Sequence, residues 1–99
     1  MDTRLEYIAR ASDGADLLDV HGPDGWRDKI DLSALDMKDV RFCVLGQVYG
    51  TYYIGLNDLN LNDDATPDYG FNLPFPALIR EEEWRMLTEA WRQVLSKAV

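Results

Sequence analysis

The chain has 99 residues, 46% of them apolar, with one cysteine. That composition fits a single domain, 1–99, with its own core, and excludes both a disordered chain and a disulfide-stapled scaffold. Eighteen acidic residues against ten basic ones leave a net charge of −8, which repels phosphate and argues against direct binding to nucleic acid or to an anionic membrane surface.

The first segment, Thr3–Val20, has apolar or small residues at Leu5, Ile8, Ala9, Ser12, Ala15 and Leu18, a spacing that predicts a helical face. Gly14 is a candidate break, because glycine costs about 1 kcal/mol relative to alanine inside a helix. His21-Gly22-Pro23 ends the segment, since glycine stops helices and proline cannot continue them. Pro23–Ile30 reads as a turn into a short helix with Trp26 and Ile30 on one face. Asp31–Met37 reads as an irregular linker pinned to the core by Leu32, Leu35 and Met37. Asp36 or Asp39 is the expected cap of the next helix.

In that next element, Leu45, Val48, Tyr49, Tyr52, Leu56 and Leu59 lie on one helical stripe, and Val40, Cys43, Val44 and Ile54 occupy the other side. An element apolar nearly all round is expected to be central and covered by its neighbours. Val40–Leu56 is also the only stretch that raises a transmembrane reading. It sits near the short limit for a span, contains Arg41 and Gln47, and has no flanking basic cluster, so a buried helix is preferred. Gly46, Gly50 and Gly55, with the β-branched and aromatic residues, leave a hairpin turning near Tyr49-Gly50 as the rival. Asn57–Gly70 is a polar loop, and Pro74 and Pro76 hold Phe71–Pro76 extended. The last helix, Ile79–Ala98, is marked by the stripe Trp84, Leu87, Trp91, Val94, Leu95 and Ala98. Glu81–Glu83 open it and Lys97 lies near its end, as the helix dipole prefers; Glu81 and Arg85 form a pair four residues apart.

The fold class expected from these elements is all-α: three to five helices, with at most one short two-stranded β pairing, between Leu32–Leu35 and Phe71–Leu73. The charged N-terminal stretch, with Asp2, Arg4, Glu6 and Arg10, carries no apolar leader. With a single cysteine, this points to a cytoplasmic address.

Catalytic and cofactor motifs are missing from the sequence. There is no glycine-rich phosphate loop and no nucleophile elbow; no cofactor and no metal are expected, and the enzyme class is disfavoured. One Cys and one His cannot form the usual structural zinc site. Asn60-x-Asn62-x-Asp64 is like the opening of a calcium loop, but Ala65 stands where glycine is needed and Phe71 where a glutamate is needed. Cys43 with His21 would be a nucleophile and base, yet Cys43 lies in the apolar run Phe42-Cys43-Val44-Leu45, where a thiol stays protonated. The carboxylate pairs Asp36/Asp39 and Asp63/Asp64 match no recognisable acid–base site.

Several phrases occur in order: Gly25–Leu32 (GWRDKIDL), Cys43–Gly50 (CVLGQVYG), Tyr69–Phe71 (YGF) and Leu87–Trp91 (LTEAW). This pattern, spanning about residues 14–95, resembles a group of small uncharacterised proteins from actinobacteria and their bacteriophages. The resemblance implies an intracellular, largely helical accessory protein, and supplies no activity and no site residue.

The remaining signal favours a non-catalytic protein–protein interaction module. Eleven aromatic residues in 99 supply core and also the anchors that interfaces use. Tyr53, Tyr69, Phe71 and Phe75 are the candidate anchors, with the prolines stiffening the segment around Phe71 and Phe75. Ten of the 18 acids fall in residues 1–39, and Asp13, Asp16 and Asp19 are candidates for an acidic face that meets a basic protein partner. Self-association is the other partner expectation. The alternative function is an acidic nucleic-acid mimic, motivated by the 13 aspartates among the acids.

Overall fold

The computed structural model describes residues 3–74 and 80–96. Among the described residues, four α-helices form the scaffold: α1 (Thr3–His21), α2 (Val44–Tyr49), α3 (Tyr52–Leu59) and α4 (Glu81–Ser96). Two 3-10 turns, Trp26–Lys29 and Thr66–Tyr69, sit in the connections. Among the described residues there is no strand, so neither Leu32–Leu35 nor Phe71–Leu73 pairs as β structure and the hairpin reading falls. No helix of the described residues is long and apolar enough to cross a membrane.

α1 runs unbroken through Gly14. Its buried face is Tyr7, Ala11, Gly14, Ala15 and Leu18; of the six positions expected, Ala15 and Leu18 are buried, Ile8 is half-buried, and Leu5, Ala9 and Ser12 are exposed. The small residues decide which face turns inward. At Gly14 an added Cβ would lie 2.1 Å from the Tyr69 carbonyl oxygen and 2.9 Å from the Trp91 ring. The chain at Tyr69–Phe71 thus crosses α1 where only a side-chain-free position admits it. Gly70, at φ 69°, makes the reciprocal approach, and a Cβ there would press on the Ala11 backbone at 2.8 Å. Glycine adopts that left-handed conformation without steric cost.

Trp91 of α4 lies beneath this crossing, fully buried. Its indole N–H donates to the Gly70 carbonyl at 2.6 Å, and its ring stacks on Phe71 with centroids 5.7 Å apart. α4 also grips the irregular segment before α2. Thr88 Oγ1 accepts from the Met37 N–H at 3.0 Å, and the Arg92 guanidinium donates to the carbonyls of Leu32 and Leu35 at 3.2 and 3.3 Å. Leu35 and Met37 are buried as expected.

The expected single helix over Val40–Leu59 is two helices. α2 is capped by Cys43, whose Sγ accepts from the Gly46 N–H at 3.2 Å. Asp36 and Asp39 do not cap it: they accept from the backbone of Lys38 and Arg41 within the preceding turns. The helix ends at Gly50, φ 102°, and Thr51 starts α3 with its hydroxyl accepting from the Ile54 N–H. The pair is not covered all round, since Tyr53 and Ile54 are 67% and 52% exposed. Glu81 makes its salt bridge with Lys38, and Arg85, its expected partner four residues on, acts on it as a weaker neighbouring charge.

Candidate functional site

The sequence candidates separate into three groups. Phe71 is 1% exposed, stacked between Tyr69 and Trp91, and is a core residue rather than an anchor. An aromatic ring in an Asn- and Pro-rich stretch carries no periodicity to show that a tryptophan on a distant helix will cover it. Phe75 lies outside the described residues. Tyr53 is exposed, its ring edge-on to Tyr52 at 5.4 Å.

Asp19 belongs to an internal clasp. Its Oδ1 accepts from the Trp26 indole at 3.0 Å, and its Oδ2 meets Arg27 at 3.1 Å. The Arg27 guanidinium lies over the Trp26 ring, 4.7 Å from its centroid. Hydrogen bonds from Arg27, with smaller help from Trp26, hold the Asp19 carboxyl below its ordinary value. The side chain is therefore engaged within the chain, closing the His21–Gly25 turn.

Asp13, Asp16 and Tyr69 come together. They line a groove of about 450 Å³ between the C-terminal half of α1 and the turn Thr66–Tyr69, with Leu17, Val20, His21 and Asp68 completing it. Asp13, Asp16 and Asp68 are exposed. Among the described residues, no lysine or arginine lines the groove. Its apolar surface comes from Leu17 and Tyr69, both half-buried, and from Val20, 74% exposed.

The 3-10 turn is anchored from both ends. Thr66, fully buried, donates its hydroxyl to the Asp63 carbonyl at 2.9 Å. At the other end the Tyr69 carbonyl rests against Gly14. The close approach of the two glycine-bearing segments is what carries Asp68 and Tyr69 to α1. Sequence reasoning did not bring Asp68, Leu17, Val20 and His21 into the site. The usable signal was the interleaving of Leu17 and Val20 with Asp13 and Asp16 at helical spacing.

A second groove, of about 860 Å³, runs along α4 past Ile8, Leu32 and Met86. Arg4, Arg85, Arg92, Glu82 and Glu89 also line it, and Arg92 is held by Glu89 and the two loop carbonyls.

The thiol–imidazole pairing does not form. Cys43 is 1% exposed in the core, where burial pushes its thiol up to about 11, while His21 stands exposed on the groove. Among the described residues no three His, Cys, Asp or Glu side chains gather to hold a metal ion. No protein-family model, curated protein or solved structure matches the chain.

Proposed function

We propose that this domain is a non-catalytic, cytoplasmic protein–protein interaction module, and that the groove between α1 and the Thr66–Tyr69 turn receives a basic, partly apolar segment of the partner. The observation that carries this reading is the lining of the groove: Asp13, Asp16 and Asp68 around Leu17, Val20 and Tyr69, with His21 at its edge and no lysine or arginine among the described residues that line it. A lysine or arginine side chain matches both features, because its aliphatic stem covers apolar surface while its charged head meets carboxylates. The net charge of −8 adds long-range attraction for such a partner and speeds encounter.

The mimic reading has less support. Asp19 is paired with Arg27, which offsets its charge in any outward row of phosphate-like carboxylates.

The test is affinity capture from the native host, wild type against the triple variant Asp13→Asn, Asp16→Asn, Asp68→Asn. Exposed charge pairs contribute roughly 0.2–1 kcal/mol each, so three together predict a loss of about tenfold in affinity, diminishing as salt rises. Retention of the same partner at unchanged affinity by a folded triple variant overturns the assignment of this groove. A captured nucleic-acid-binding protein displaced by DNA would support the mimic instead.

A further inference from the structure

We draw no further inference here: the strongest candidate, the exposed apolar surface of Val40, Tyr53 and Ile54 at the corner where α2 turns into α3, carries nothing because nothing in the structure shows what covers it.

Discussion

Gly14 sets two effects of opposite sign against each other. Alanine is the better helix former by about 1 kcal/mol, and position 14 lies inside α1. The added methyl, however, would sit 2.1 Å from the Tyr69 carbonyl oxygen and 2.9 Å from the Trp91 ring. A backbone oxygen and a buried indole that donates to Gly70 have no flexible end to move aside. Overpacking of this kind costs typically 1–3 kcal/mol, so the clash exceeds the propensity gain. Gly14→Ala should therefore lower the urea midpoint with little change in slope; a rise in midpoint would show that the crossing yields easily. Cys43 gives a second residue-level expectation. With burial holding the thiol near 11, only about 0.1% is thiolate at pH 8. A disulfide reagent should label native protein orders of magnitude more slowly than protein in concentrated urea. Fast native labelling would place Cys43 outside a closed core.

At the scale of elements, the α2–α3 corner turns on Gly50 and Thr51. Gly50 has φ 102° and open space around it, with nothing within 4 Å of an added Cβ. A substitution there meets no neighbour, and the cost is purely conformational, of order 1–2 kcal/mol for a side chain forced into positive φ. Thr51→Ala removes the hydroxyl that accepts from Ile54 and should cost about 1 kcal/mol. Measured by denaturation, both changes should destabilise. A stabilised Gly50→Ala would favour one continuous helix.

The same corner explains what was legible. The stripe Leu45, Val48, Tyr49, Tyr52, Leu56 keeps helical spacing across the break, so periodicity predicts helix on both sides and cannot register the turn between them. That turn depends on one backbone conformation and on the Tyr52 N–H donating to the Val40 carbonyl at 2.8 Å. α4 was legible because Leu87 and Trp91 mark its buried side and charge fills the rest. For α1 the helix was legible but its face was not, since Gly14 contributes by lacking a side chain and hydropathy gives it no weight. In the groove, Asp13 and Asp16 could be paired by spacing alone. Asp68, about 50 residues downstream, joins them only through the tertiary approach of Gly70 to Ala11.

For the molecule as a whole, pH acts through groups whose pKa differs between folded and unfolded chains. On the acid side the relevant carboxyls are Asp19, lowered chiefly by Arg27; Asp31, lowered by Ser33; and Glu81, lowered by Lys38. A depressed carboxyl stabilises the fold above its unfolded value and loses that contribution as pH falls through the folded one, below about pH 4. All three are on the surface, where such pairs are weak, and protonation also relieves the excess negative charge. The acid arm should be shallow. The alkaline arm runs the other way and is steeper. Burial, with the Glu83 carboxylate beside it, raises Tyr7 to about 12; burial also raises Tyr49, Tyr52 and Cys43. A raised acid contributes fully below its unfolded value and loses that contribution as pH climbs toward the folded one. Between about pH 9 and 12 the unfolded chain sheds protons that the native core retains, and added negative charge compounds the repulsion within a chain already at −8. Urea midpoints should therefore hold nearly level from pH 6 to 8 and fall steeply above about pH 10. Tyr7→Phe keeps the ring in the core and removes the titrating hydroxyl with its hydrogen bond to Glu83, so it should lower the midpoint in the neutral range and flatten part of the alkaline fall. If Tyr7→Phe follows the wild-type curve through pH 11, Tyr7 is not protected between α1 and α4, and the packing of those helices around it is looser than the structure describes.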